Sequence, residues 1–298
     1  LVYQDERWTY AEAHREVCAI ASRLQAQGVQ PGDRVAIAMR NYPEHLFCYW
    51  ATVAMGATVV GMNAWWVGPE MVFGIQDSTR GCVNNVLNVL CMGAISAGVQ
   101  IMTGKLDPKD LENPPQGVAL VTTPLFHVTA MNCVSHIATA NGGKLVLMYK
   151  WDAGIALRLI EEEKVSSMSG VPVMSRELIS HPDFPKRDTS SLLILGGGGA
   201  QLQPDLVGRI EKDVATARPN TGYGMTETCG IITSIMGDFF VDRPDSCGPV
   251  CPNFEAEIRD PEGNALPVGQ VGELCVRGAP VIRGYLNRPD ATAETIKD

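Results

Sequence analysis

The residues best equipped for chemistry lie in one short string, Asn220-Thr221-Gly222-Tyr223-Gly224-Met225-Thr226-Glu227-Thr228. It combines flexible backbone, an aromatic face, hydroxyl donors and a carboxylate. An aromatic ring stacks on a base, a threonine hydroxyl bonds a phosphate oxygen, and a single carboxylate holds Mg²⁺ directly or through water. That mixture suits a nucleotide. A polar loop would account for any two of these residues but not for the whole string. Upstream, the apolar residues 192–195 run into Gly196-Gly197-Gly198-Gly199-Ala200, where backbone without side chains admits a planar ligand or a carboxylate, with a tight turn as the alternative. No Gly-Lys-Ser/Thr follows, so this is not a Walker loop. A third segment, Pro124-Leu125-Phe126-His127-Val128, offers an imidazole that is either a packed side chain or a group at the site. The alternation and glycines of Gly272-Glu273-Leu274-Cys275-Val276-Arg277-Gly278 and Gly284-Tyr285-Leu286-Asn287 fit a β-hairpin in a structural role.

Alternating strands and helices must position these segments. Thr9 followed by Glu12 forms a capping box, and Val17, Ile20, Ala21 and Leu24 then recur at helical spacing up to Gly28. Residues 35–39 and 57–62 read as strands on either side of a helix opened by Pro43 and Glu44. Strands are also expected at 118–122 and 144–148, and Asp152 caps a further helix. Pro204 starts a helix directly after the glycine run, which gives the order strand, glycine loop, helix. This predicts an α/β fold with a mostly parallel sheet covered on both faces. Beyond Gly237 short strands at 255–259 and 273–277, divided by Pro261-Glu262-Gly263-Asn264, read as a small β-rich subdomain. The predicted organisation is 1–78 as the first part of an α/β lobe, 79–236 as a second lobe with the site, and 237–298 as the β-rich part.

The balance of 24 basic against 33 acidic residues gives −9, which argues against general affinity for nucleic acid or an anionic membrane face. Nine cysteines without a C-x-x-C pair point to a reduced, cytoplasmic setting rather than a disulfide scaffold. Residues 86–102 are apolar but interrupted by Asn88, Ser96 and Gln100, so a buried helix is expected rather than a transmembrane one.

Taken in order, these segments resemble the adenylate-forming superfamily of AMP-forming acyl-CoA synthetases, luciferases and peptide-synthetase adenylation domains. Residues 221–228 look like its adenylate-binding signature, 197–200 like its adenine and acyl loop, Phe126-His127 like its aromatic-His gate, and 272–286 like its hairpin. Trp8-Thr9-Tyr10, residues 28–35 and Gly56-Ala57 resemble its N-terminal region. The resemblance implies a layered α/β/α domain that binds ATP and Mg²⁺, activates a carboxylate as acyl-AMP and transfers the acyl group to coenzyme A. By resemblance Tyr223 stacks on adenine, Thr226 bonds the α-phosphate, Glu227 binds Mg²⁺ and His127 lies near the acyl carboxylate. Gly198, Gly199, Ala200, Thr221, Gly222, Gly224 and Met225 complete the implied nucleotide site. Residues 124–128, 170–172 and 181–184 look more like fatty-acid:CoA ligases than peptide-synthetase domains.

Two departures bear on turnover. The Ser/Thr/Gly-rich phosphate loop with its Lys, due just upstream of Arg80-Gly81-Cys82, has no counterpart. Gly74-Ile75-Gln76-Asp77-Ser78 passes straight into Thr79, which suggests an internal gap near Ser78 and Thr79 of about a hundred residues by typical domain length. The sequence also stops at Lys297-Asp298, before the family's ribose-binding Asp and C-terminal domain. Little or no full synthetase turnover is therefore expected, with a catalytically inactive AMP- or acyl-binding module as the alternative. Nothing in the sequence sets the acyl class or the oligomeric state.

Overall fold

Short apolar runs alternate with capped amphipathic segments, and the chain folds accordingly. The computed structural model describes residues 1–64, 79–285 and 287–297. In chain order it has β1 (Val2–Tyr3), β2 (Glu6–Arg7), α1 (Tyr10–Ala26), β3 (Arg34–Ile37), α2 (Pro43–Ala54), β4 (Thr58–Gly61), α3 (Thr79–Met102) and β5 (Val118–Val121). There follow α4 (His136–Ala140), β6 (Lys144–Leu147), α5 (Ala153–Glu163), β7 (Ser167–Gly170), α6 (Pro172–Ser180), β8 (Ile194–Gly197), α7 (Pro204–Asp213) and β9 (Arg218–Met225). The last elements are β10 (Gly230–Met236), α8 (Asp238–Asp242), β11 (Phe254–Arg259), β12 (Glu273–Gly278) and α9 (Pro289–Thr295).

The predicted caps form. The Thr9 hydroxyl accepts from the Glu12 N–H at 3.2 Å while the Glu12 carboxylate accepts from the Thr9 N–H at 2.8 Å. Asp152 Oδ1 accepts from the Ile155 N–H at 2.8 Å, satisfying a free donor at the start of α5. Pro172 and Pro204 stand in the first turns of α6 and α7, where a missing N–H costs no helical bond.

Eight strands form one sheet in the order β10-β9-β8-β7-β5-β6-β1-β2. Its six inner strands run parallel, and only the two edge pairings, β10 with β9 and β1 with β2, are antiparallel. Period-two alternation explains why both faces are covered. Leu120 and Val146 point into a core with Leu157, Ile160, Met168, Leu178, Leu195, Leu206 and Ile210. Their neighbours Ala119, Val121, Leu145 and Leu147 pack on the other face with Leu46, Leu125 and Met131. β1 and β2, drawn from the segment expected to form the first lobe, add to this sheet beside β6. β3 and β4 make a separate parallel pair, and β11 with β12 an antiparallel one.

Two expectations are corrected. Gly196 and Gly197 are not loop residues: they end β8, buried and in register with Asn220 and Thr221 of β9. Only Gly198, Gly199 and Ala200 turn out of the sheet. The apolar segment expected to be buried does form a helix, α3, but Val83, Leu87, Ile95 and Met102 are more than half exposed. Its inner face carries instead Asn85 and Asn88, both fully buried. By length and composition residues Gly81–Met102, at mean hydropathy 1.5, could cross a membrane. The polar side chains on its inner side instead bond it to the sheet and to the chain before β11. The expected helix end at residues 74–78, with Ser78 at the gap, and Leu286 lie outside the described residues.

Candidate nucleotide and acyl site

Parallel β8 and β9 deliver their carboxyl ends to the same edge, because Gly196 pairs with Asn220 and Gly197 with Thr221. The Thr221 hydroxyl donates to the Gly197 carbonyl at 2.9 Å and locks the two strands together at that point. A Cβ on Gly196 would stand 1.7 Å from Asn220 Oδ1 and 2.2 Å from its carbonyl, so only glycine lets β9 approach this closely. The glycine run thus serves strand packing in its first half and leaves an open turn in its second.

After Met225 the chain makes one tight turn, Thr226–Thr228, and reverses into β10. The Thr228 hydroxyl donates to the carbonyls of Met225, at 3.0 Å, and Gly230, at 2.9 Å, and accepts from the Met225 N–H at 3.2 Å. Cys229 takes a left-handed φ of 52°, and its carbonyl accepts from Asn132 Nδ2 at 2.9 Å. Asn85 closes the same belt from α3, since its Oδ1 accepts from the Ile231 N–H at 2.9 Å and its Nδ2 donates to the Asn132 carbonyl at 3.0 Å. Further along α3, Asn84 Oδ1 accepts from Asn253 Nδ2 at 2.9 Å. Buried amides of this kind give direction to a turn that apolar packing alone would leave unspecified.

Two cavities reach this turn, and a third lies beside β9 just before it. One of about 780 Å³ is bounded by Gly197, Gly198, Thr226 and Glu227 at one end and by Gly117 and Ile194 at the other. It therefore follows the sheet from the carboxyl to the amino ends of the strands, roughly 10 Å for a four-residue strand. Val89, Leu90 and Met92 of α3, with Val134 and Ile137, give it an apolar wall. A second, of about 260 Å³, reaches Thr226 and His127 from the β4 side past Thr58, Gly61 and Phe126. A third, of about 350 Å³, is lined by Gly199, Ala200, Thr221, Gly222, Tyr223 and Gly224. Tyr223 is 43% exposed there, so its ring face is open to a ligand. Met225, Thr226, Glu227 and His127 all border the 780 Å³ cavity with Gly198, Gly199, Thr221, Gly222 and Gly224, while Tyr223 and Ala200 line the third cavity instead.

His127 stands at the mouth with surface open to solvent, yet the apolar atoms around its ring lower its pKa by desolvation. Its Nδ1 accepts from the Thr129 N–H at 3.1 Å, which leaves the proton of the neutral ring on Nε2. Glu227 Oε1 accepts from Tyr285 Oη at 2.6 Å, and Oε2 has no hydrogen bond among the described residues. No group of three or more His, Cys, Asp or Glu side chains among the described residues could hold a metal. A Mg²⁺ here would rest on one protein carboxylate and complete its shell with phosphate oxygens and water, which is this ion's usual mode. Sequence reading missed Asn85, Asn132 and the contact of Tyr285. It named Asn220 without a role, yet Asn220 Oδ1 is buried at the cavity wall with no partner among the described residues. Uncharged amides on an apolar helix are the one signal that could have found Asn85.

A parallel sheet whose carboxyl edge carries a glycine turn, an exposed tyrosine and a hydroxyl-carboxylate turn defines an adenylate-forming domain of the AMP-forming superfamily. Comparison with known proteins agrees. The profile of the AMP-binding enzyme family matches residues 1–84 and 89–286. The chain is 31% identical over 342 residues to a feruloyl-CoA synthase of Amycolatopsis sp, covering 97% of this chain and 69% of that protein. It is 27% identical over 358 residues to 4-coumarate–CoA ligase 2 of Nicotiana tabacum, covering 97% of this chain and 66% of that protein. Among solved structures, apo MatB from Rhodopseudomonas palustris superposes with a TM-score of 0.82 at 22% identity, covering 99% of this chain and 70% of that one. The N-terminal domain of FACL13 from Mycobacterium tuberculosis gives 0.84 at 19% identity, covering 100% of this chain and 90% of that one. The chain belongs to the AMP-binding enzyme family, and by family it is an acyl-CoA synthetase.

The chain spans about two thirds of the length of these curated relatives. Alignments of 342 and 358 positions exceed its 298 residues, so the relatives hold internal positions that this chain lacks. The excess is tens of positions, and the family match leaves out residues 85–88, a few residues beyond the gap expected near Ser78 and Thr79.

Proposed function

We propose that this chain carries the AMP- and acyl-binding site of a carboxylate:CoA ligase that works through an acyl adenylate. The observation that carries the reading is the meeting of two cavities at Thr226 and His127, with a third, which holds the open Tyr223 ring, sharing Gly199, Thr221, Gly222 and Gly224 with the 780 Å³ one. In this reading Tyr223 stacks on adenine beside Gly199 and Ala200, and Thr226 bonds the α-phosphate. Glu227 would hold a Mg²⁺ that offsets the phosphate charge, and His127 Nε2–H faces the acyl carboxylate. The carboxylate oxygen attacks the α-phosphorus, pyrophosphate leaves, and the thiol of coenzyme A later displaces AMP. Preorganised donors around the α-phosphate stabilise the charge that develops there, and such stabilisation usually contributes more to the rate than any other single effect.

The wall of Val89, Leu90, Met92, Val134 and Ile137 supports an apolar acyl group. A cavity that follows the sheet from one edge to the other supports the fatty acid expected from the sequence, and the names of the curated relatives support an aromatic propenoic acid. The missing phosphate loop favours a second reading. Without amides to cradle the β- and γ-phosphates, adenylation loses donors that commonly contribute about 10²- to 10³-fold each in rate. A module that binds AMP or acyl-AMP without turnover would follow.

Calorimetric titration with AMP and with a non-hydrolysable acyl-adenylate analogue, beside thioester formation from ATP, CoA, Mg²⁺ and either fatty or hydroxycinnamic acids, separates these readings. Acyl-CoA formation establishes the ligase and its acyl class. Binding without acyl-CoA establishes the module, and no nucleotide binding at all rejects the site.

A further inference from the structure

The hairpin residues read from sequence as structural reach the site. We infer that Tyr285 is a positioning residue that holds the Glu227 carboxylate in place and so couples the β11–β12 region to the nucleotide turn. Three contacts build this link. Tyr285 Oη donates to Glu227 Oε1 at 2.6 Å across 58 residues of sequence, within the range of a hydrogen bond to a charged acceptor. The Ile282 N–H donates to the Glu227 carbonyl at 2.8 Å, so main chain and side chain of Glu227 are gripped by the same segment. The Tyr285 N–H in turn donates to Thr292 Oγ1 at 2.9 Å, and that hydroxyl donates to the Arg288 carbonyl at 2.8 Å, anchoring the tyrosine to the start of α9.

Gly284 makes the geometry available. Its φ is +154°, and a Cβ there would stand 2.7 Å from Thr292 Cγ2 and 2.8 Å from its hydroxyl. Only glycine lets the chain pass close to Thr292 and present the phenol to Glu227. With Oε1 engaged by the Tyr285 bond, rotation of the carboxylate is restrained and Oε2 is left without a hydrogen bond among the described residues. A carboxylate fixed before the ion arrives loses less rotational freedom on binding it.

The inference rests on the nucleotide reading, and the test keeps the two apart. Mn²⁺, standing for Mg²⁺, is titrated into the AMP-saturated full chain and followed by electron paramagnetic resonance, for the wild type, Tyr285→Phe, Glu227→Gln and the double variant. Tyr285→Phe keeps the ring and should melt within a few degrees of the wild type. We expect it to weaken Mn²⁺ binding by about tenfold, to leave metal-free AMP affinity within twofold, and to change nothing further once Glu227 is Gln. Equal Mn²⁺ affinity in wild type and Tyr285→Phe overturns the inference. So does an equal loss of metal-free AMP binding, which would make Tyr285 a purely structural residue. A wild type that binds no AMP removes the nucleotide reading and this inference with it.

Discussion

Adjacent glycines at the end of β8 play different parts, and single substitutions should separate them. Gly196→Ala forces a methyl group into Asn220 and should destabilise the fold by about 3 kcal/mol. Gly198→Ala meets nothing nearer than the Gly222 carbonyl at 3.8 Å, so stability should change by less than about 1 kcal/mol while binding of an acyl-adenylate analogue weakens. Urea melts and calorimetry of the two variants test this. His136 makes a further prediction. It is 6% exposed, packed against the rings of Tyr49 and Trp50, and its Nε2 has no partner among the described residues, so burial pushes its pKa down from 6.5 to about 4. Above pH 6.5 the ring is neutral folded or unfolded and has no effect on the pH dependence. As pH falls from 6.5 towards 4 the unfolded chain takes up a proton that the folded chain refuses, and stability drops by about 3 kcal/mol. His136→Phe should remove that part of the acid sensitivity, seen as a shallower loss of stability between pH 7 and 4.

α3 shows how one element can invert the ordinary pattern. Its amides face inward, where Asn85 bridges the Ile231 N–H and the Asn132 carbonyl, while Val83, Leu87 and Ile95 face out. The reason lies in its neighbours, because the turn after Glu227 presents free backbone groups that only polar side chains can satisfy. Asn85→Ala strands the Ile231 N–H and should cost about 2 kcal/mol. Hydrogen exchange should then show the loss first at Ile231 and its neighbours in β10. A variant with unchanged protection at Ile231 would show that the belt adds nothing to the turn.

At the scale of the whole molecule, α3 leaves an apolar stripe of Val83, Leu87, Ile95 and Met102 uncovered, and no Asp, Glu, Lys or Arg interrupts residues 81–102. Contiguous apolar surface of this kind drives association. The purified chain should bind a hydrophobic dye and sediment faster as its concentration rises, and Leu87→Lys should reduce both effects without unfolding it. The same helix contains residues 85–88, where the family match is interrupted.

Most of the architecture was legible in the sequence because it is local. Capping at Thr9 and Asp152, prolines in first turns and four-residue apolar runs depend on neighbours in the chain, and the α/β alternation follows from them. The string 220–228 announced a nucleotide site for the same reason, since its chemistry is contained in nine consecutive residues. What tertiary structure decided was pairing across distance. Register alone put Gly196 against Asn220 and made half of the glycine run a strand. The orientation of α3 came from backbone donors 146 residues away, and the role of Tyr285 from a carboxylate 58 residues upstream. Such contacts are set by how packed elements meet, and a one-dimensional pattern of residue types carries no record of that meeting.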